Sequence, residues 1–263
     1  MKQLASILCI STIAVLCGCG AQKPGTSSLP PNVPNMAGNW QFNATSVNPA
    51  PNSLILAGAI RQTGASIAAK VHVDGYTCFD RQSTISVAGT LTGNKISLTS
   101  TSVGGQVLKI TGTVTDTSLS GDYSIEGGCA DGDHGSISAL KIPSITSSVS
   151  ATFTAPGKTP FDLALQLTQG NDDSAGTFAL TGSATVSTSC FNSAVLTSGK
   201  FPAGSYILGT SVALQIATNN GTVSFLGTMD PVSGEIDGDY VVSGGTCNET
   251  GTAVLTMVGM WDY

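Results

Sequence analysis

The sequence predicts an all-β protein made of two tandem homologous domains, and three observations carry this prediction. Short runs of alternating apolar and polar residues recur between turn-forming residues, without helical periodicity. One segment occurs twice, as Leu119-Ser-Gly-Asp-Tyr-Ser-Ile-Glu-Gly-Gly-Cys129 and as Ile236-Asp-Gly-Asp-Tyr-Val-Val-Ser-Gly-Gly-Thr-Cys247. Each copy has a cysteine upstream, Cys78 or Cys190. We therefore expect two antiparallel meanders of about eight strands, each curled into a barrel or pressed into a sandwich.

The composition fits a packed protein that does not bind nucleic acid. Hydrophobic residues make up 41% of the chain, which is enough for a core. Charged residues make up only 10%, and the net charge is −6. No basic stripe is present to neutralise phosphates, so we exclude nucleic acid as a partner.

The N-terminus is predicted to be a signal peptide covering residues 1–18. Lys2 gives it a positive start, and the apolar run from Leu4 to Leu16 is too short for a permanent membrane span. The run ends in Leu16-Cys17-Gly18-Cys19, which resembles the lipobox of bacterial lipoproteins. An ordinary secretory signal cut nearby is the alternative.

The lipobox resemblance implies where the protein is located. It implies that Cys19 carries the lipid and becomes the mature N-terminus, so that the membrane is a partner through this anchor. The residue after it is Gly20 and not the Asp that retains such proteins at the inner membrane, so the resemblance implies the outer membrane. Residues 19–36, rich in Pro and Ser, are predicted to form an extended tether.

Four cysteines lie beyond the lipobox, and we expect two disulfides. An even number in an exported protein favours disulfides, and four cysteines allow three connectivities. The duplication selects the pairs Cys78–Cys129 and Cys190–Cys247, because each repeat would then be closed on itself. Each bridge closes a loop of roughly fifty residues, which chain entropy values at about 4 kcal/mol.

Domain one is predicted to span residues 37–143, with turns at Gln62-Thr-Gly64 and Thr92-Gly-Asn94. Its predicted strands are Gly38–Phe42, Leu54–Arg61, Ser66–Val73, Thr84–Leu91, Lys95–Thr99, Gln106–Thr115, Leu119–Ile125 and Gly135–Ile142.

Domain two is predicted to span residues 144–263, and its first residues belong to a boundary stretch that runs from Pro143 through Ser150. Asn220-Gly221 in this domain is a strong hairpin turn. The predicted strands are Ala151–Thr154, Phe161–Thr168, Gly176–Ser187, Ser193–Thr197, Tyr206–Ala217, Val223–Met229, Glu235–Val242 and Thr252–Val258. We expect each domain to fold on its own.

The first strand of domain one contains Gly38-Asn-Trp40, which resembles the opening of lipocalins and avidin-like barrels. In those families the Trp plugs one end of the barrel. The resemblance covers three residues in one repeat, and domain two has Ser148-Val-Ser150 near the matching place with no Trp there, so ligand binding is not carried over from it.

The repeated Gly-Asp-Tyr motif is predicted to be structural. In a strand, Tyr123 and Tyr240 share a face with Gly121 and Gly238, so each glycine relieves crowding beside a packed ring. Asp122 and Asp239 point to the opposite face, and we expect both to face solvent. A glycosidase needs two carboxyl groups about 5–10 Å apart, which these two could provide only at a domain interface.

Two further polar segments offer candidate functional residues. Asp131, Asp133 and His134 could hold a divalent cation, but domain two lacks that set, so a solvated turn is preferred. His72, in the alternating run Lys70–Val73, is predicted to face solvent. We predict no catalytic residue, no metal and no cofactor.

The function predicted from these patterns is a non-catalytic binding or surface-interaction module. Its partner would be a glycan, a small ligand or another envelope protein. A purely structural or adhesive envelope protein is the alternative, and a glycan-active enzyme comes third. An open barrel with an apolar cavity would favour ligand binding, whereas filled interiors and an exposed aromatic strip would favour surface interaction. An enzyme would need a cleft with convergent carboxylates, most plausibly between the domains.

Overall fold

The computed structural model describes residues 33–48, 53–76, 78–79, 84–186, 188, 190–199 and 201–258. The predicted signal peptide, Cys19 and most of the predicted tether lie outside the described residues. Within the described ranges, none of the helical structure is long and apolar enough to cross a membrane. The protein is all-β, and each half forms a closed antiparallel barrel.

Barrel one is an eight-stranded meander in which the last strand pairs with the first. Every strand hydrogen-bonds to its sequence neighbour, and apolar residues alternate with polar ones, so one face of each strand fills the interior. Its strands are β1 (Gly38–Ser46), β2 (Ser53–Thr63), β3 (Ser66–Asp74), β4 (Thr84–Thr92), β5 (Lys95–Ser100), β6 (Val107–Val114), β7 (Ser118–Glu126) and β8 (His134–Ile142). A short 3-10 helix, Gly128–Ala130, precedes β8.

Barrel two repeats this topology with one position shared by two short strands. β12 and β13 both pair with β11 on one side and with β14 on the other. The strands are β9 (Thr146–Thr154), β10 (Phe161–Asp172), β11 (Phe178–Val186), β12 (Ala194–Leu196), β13 (Tyr206–Leu208), β14 (Ser211–Thr218), β15 (Gly221–Met229), β16 (Ile236–Ser243) and β17 (Glu249–Val258). β17 pairs with β9 and closes the ring.

Two sequence predictions are corrected here. The predicted strand Tyr206–Ala217 is broken at Gly209, whose φ of 55° turns the chain between β13 and β14. The predicted boundary stretch is also shorter, because β9 begins at Thr146 and only residues 143–145 connect the barrels. Val149 and Ala151 occupy the buried face of β9, and the Ser and Thr residues around them belong to the same strand.

Each barrel carries one disulfide, in the pairing that the duplication predicted. Cys78 is bonded to Cys129, with Cα atoms 5.7 Å apart. Cys190 is bonded to Cys247, with Cα atoms 6.1 Å apart. Both bridges tie the segment after the third strand of a barrel to the segment after its seventh strand. The two repeats are thus separately cross-linked and are not interlocked.

Candidate functional site: the cleft between the barrels

The repeated Gly-Asp-Tyr motif builds the barrel wall. Gly121 lies opposite Gly112 on β6, and Gly238 lies opposite Gly227 on β15. A Cβ atom on Gly121 would lie 2.0 Å from the Thr111 carbonyl oxygen, so the two strands approach too closely for a side chain. The glycines are therefore required by the backbone.

The tyrosine of each motif is buried and hydrogen-bonded to a carboxylate of its own barrel. The Tyr123 hydroxyl donates to Asp133 at 3.2 Å, and the Tyr240 hydroxyl donates to Glu249 at 2.8 Å. Asp122 and Asp239 are exposed, as predicted, and neither lines the cleft between the barrels. The glycosidase alternative therefore gains no support from this pair.

Asp133 corrects the prediction of a solvated turn, because its carboxylate is buried. It accepts hydrogen bonds from the Ser46 hydroxyl at 2.5 Å, the Asn48 amide at 2.9 Å and both Tyr76 and Tyr123. Burial alone would raise the pKa of Asp133, but these four donors outweigh it and hold the pKa below its usual value. Burial and the bond to this carboxylate raise the pKa of Tyr76.

The Asp133 carboxylate is used to close one end of barrel one and is not aimed at a ligand. The Asp131 carboxylate accepts from the Gly127 amide, and the His134 ring lies 3.0 Å from the Gly132 carbonyl oxygen. In the described part of the chain, no group of three or more His, Cys, Asp or Glu side chains is arranged to hold a metal ion.

One end of barrel two, which includes the turns after β10 and β13, rests on the outer wall of barrel one. Outward-facing residues of β1, β2 and β3 meet the turns that follow β10, β13 and β15. Ala59 and Ile142 of barrel one belong to the same hydrophobic cluster as the interior of barrel two. Glycines permit the close approach: a Cβ atom on Gly176 would lie 2.2 Å from the Lys70 carbonyl oxygen. The wall of one barrel therefore closes the other.

A reciprocal pair of hydrogen bonds fixes this contact at its centre. The Asn39 side-chain amide donates to the Gly209 carbonyl at 2.8 Å, and the Gly209 amide donates back to the Asn39 side-chain oxygen at 2.9 Å. Asn39 is only 1% exposed. At the edge, the Arg61 guanidinium meets the Asp172 carboxylate at 2.7 Å, and Arg61 is largely exposed. The buried pair matters more for docking, because exposed ion pairs contribute little.

The prediction that His72 faces solvent is wrong, because its side chain lies in the interface between the barrels. Its ring packs edge-on against Phe201, with centroids 5.0 Å apart, and neither ring nitrogen has a hydrogen-bond partner. Burial lowers the pKa of the imidazole, so it is neutral at pH 7. The negative charge of Asp173 and the nearby Ala175 backbone favour the protonated imidazole and so oppose this lowering of the pKa. Neither group forms a hydrogen bond with a ring nitrogen of His72.

A cleft of about 730 Å³ opens beside this contact, between the two barrels. Barrel one contributes outward-facing residues of β1, β2, β3 and β8, and barrel two contributes β13, β15 and the segment that carries Phe201. The lining includes Ala57, His72, Asp74, Leu140, Phe201, Tyr206, Leu226 and Thr228. This volume lies within the usual range for small-molecule sites.

Sequence reasoning missed the cleft for an identifiable reason. Periodicity places His72, Ala57 and Ala59 on the outer face of the sheet, which is correct, but it cannot show that another barrel covers that face. One available signal was the run of small apolar residues at outward positions of β2, where hydroxylated or charged residues would be expected.

Comparisons with known proteins add no assignment to this geometry. No model of a known protein family matches the chain, and no curated protein sequence matches it.

Proposed function

We propose that this chain is a lipid-anchored bacterial envelope protein whose paired barrels form a non-catalytic binding module. The cleft between the barrels is its ligand site in this proposal. The carrying observation is the cleft itself, which combines a ligand-sized volume with apolar walls and a few polar groups. Both barrel interiors are filled with packed side chains, so a ligand inside either barrel has less support.

The anchor is supported by the Leu16-Cys17-Gly18-Cys19 sequence after an apolar run. Substituting Cys19→Ala should abolish metabolic labelling with palmitate and release the protein from the membrane fraction. Continued labelling of that variant would show that the lipid is attached at another residue and would overturn the assignment of Cys19. This test is independent of the cleft.

The binding role is tested by filling the cleft. Thr228 lies on the exposed face of β15 and lines the cleft, so Thr228→Trp would occupy it. Thr256→Trp is the matched control, because Thr256 lies on the exposed face of β17 and does not line the cleft. Thermal-shift screening with small molecules and oligosaccharides should find compounds that stabilise the mature protein and the control but not Thr228→Trp. If no compound stabilises any of the three proteins, a structural or adhesive role replaces this proposal, and if compounds stabilise all three alike, the cleft is not the site.

A further inference from the structure

We infer that the cleft takes an uncharged, largely apolar small molecule with one hydrogen-bonding group, which the His72 imidazole meets when Phe201 turns aside. This inference rests on the proposed binding role and names the chemistry of the ligand. Three independent features of the cleft carry it: the charge of its lining, the exposed leucines at its rim, and the unpartnered imidazole in its wall.

The charge of the lining disfavours anions. Among the described residues that line the cleft, Asp74 is the one formally charged residue, and none is Lys or Arg. Arg61 and Lys70 on the outer face of barrel one line a separate smaller cleft, and Arg61 is paired with Asp172. An anionic ligand would therefore enter without a counter-charge, which costs free energy in a partly desolvated site.

The rim of the cleft exposes apolar side chains from both barrels. Leu140 of β8 is 45% exposed and Leu226 of β15 is 59% exposed, and both line the cleft. Below them Tyr206, Leu208 and Ala57 form a small cluster with Phe201. A mostly apolar ligand would remove this surface from water, at roughly 25 cal/mol per Å².

The polar group of the ligand is indicated by His72. This side chain is 8% exposed, and neither ring nitrogen is satisfied, which is costly for a buried polar group. Phe201 packs against the imidazole and also lines the cleft. A ligand that displaces the Phe201 ring keeps the imidazole covered and supplies the missing hydrogen bond. The Phe201 ring covers the imidazole but cannot supply a conventional hydrogen bond to it.

The charge of the ligand is tested with two dyes on the full mature protein. Nile red is neutral, whereas 1-anilinonaphthalene-8-sulfonate is anionic. We expect Nile red fluorescence to rise saturably at one site, with binding at least tenfold weaker in Thr228→Trp and unchanged in Thr256→Trp. The anionic dye should bind the cleft at least tenfold more weakly than Nile red.

The role of His72 is tested with a ligand pair that differs by one hydroxyl group. In competition with Nile red, 2-naphthol should bind about fivefold tighter than naphthalene, the factor for one hydrogen bond. This preference should disappear in His72→Phe, while naphthalene affinity is retained. His72→Leu is a second variant, in case the larger ring disturbs the interface.

The outcomes separate this inference from the proposed function. An anionic dye that binds as tightly as Nile red, and is blocked by Thr228→Trp, would overturn the ligand class and leave the binding role intact. A naphthol preference that survives both His72 variants would overturn the role of His72. Binding of both dyes that Thr228→Trp does not affect would overturn the cleft as the site.

Discussion

The two barrels share one topology but are closed at the equivalent end by different means. In barrel one, the segment before β1 covers the end: Met36 is fully buried, its amide donates to Gln62 at 2.7 Å, and its carbonyl accepts from the Trp40 indole at 2.7 Å. In barrel two, the outer wall of barrel one covers the end, and Ala59 joins the core there. One barrel is closed by its own chain, and the other by its neighbour.

The strand registers show which residue of the second repeat stands at the position of Trp40. In barrel one, Leu119 pairs with Ala139, which pairs with Phe42 on β1. In barrel two, the equivalent Ile236 pairs with Leu255, which pairs with Ala151 on β9. Trp40 therefore corresponds to Val149. Among the described residues, the smaller Val149 thus stands where barrel one has Trp40, and the wall of barrel one adds Ala59 and Ile142 to the core of barrel two.

The largest expected effect comes from separating the barrels. Residues 33–143 expressed alone, with the disulfide formed, should unfold cooperatively, because their closing segment is included. Residues 144–258 alone should be aggregated or molten, since an apolar end would be exposed. Calorimetry and near-UV circular dichroism would measure both. We therefore expect independent folding for barrel one alone, which is narrower than the expectation from the duplication, and a cooperative transition for isolated barrel two would refute this.

A smaller effect is expected from the centre of the interface. Asn39→Ala leaves the Gly209 amide and carbonyl buried without partners, which should lower the free energy of unfolding by about 3 kcal/mol. Asn43→Ala, an exposed outward position on the same strand, is the control and should change it by less than about 0.5 kcal/mol. Urea unfolding should also show barrel two melting before barrel one in the Asn39 variant. Equal effects from both substitutions would mean that the pair does not hold the barrels together.

The smallest expected effect compares the two carboxylates that receive the motif tyrosines. Asp133 accepts four hydrogen bonds and Glu249 accepts one from Tyr240, so Asp133→Asn should cost about 2 kcal/mol and Glu249→Gln about 1 kcal/mol. The folded pKa of Asp133 lies below its ordinary value of 3.8. Its contribution is therefore complete above that value and is lost as the pH falls through the folded pKa.

This pH dependence can be followed in barrel one alone. The chain has two tryptophans, Trp40 and Trp261, so Trp261→Phe leaves Trp40 as a reporter of barrel one. Urea midpoints measured by its fluorescence should fall as the pH drops below about 4 in the parent and change less in Asp133→Asn. An identical acid response in both proteins would assign it to other carboxylates.

Much of the fold could be predicted from the sequence because the signals were local or duplicated. Alternation located nearly all strands, and the repeated cysteines selected the disulfide pairs. Gly209 marks where this reasoning failed, because a single glycine in an apolar run does not show that the chain must turn there to receive Asn39.

The candidate site was less predictable because it depends on contacts between distant segments. His72 and Phe201 are 129 positions apart and meet only after the barrels dock. Asp133 lies in a loop of turn-forming residues, and its burial depends on Tyr76 and Ser46 from elsewhere in barrel one. Neither fact is contained in the periodicity of a strand.

The contact in which the end of one barrel rests on the outer wall of another could in principle be repeated, because each added barrel would present a new outer wall. The strand registers show why the outer wall of barrel two differs from that of barrel one. The positions equivalent to Asn39, Ala57 and Ala59 are Ser148, Ala164 and Gln166, and the last two are exposed. A more polar outer wall would bury little apolar surface against the end of another barrel, as is the case for the outer faces of terminal units in repeat proteins. This outer face of barrel two is therefore poorly matched to the apolar end of a further barrel.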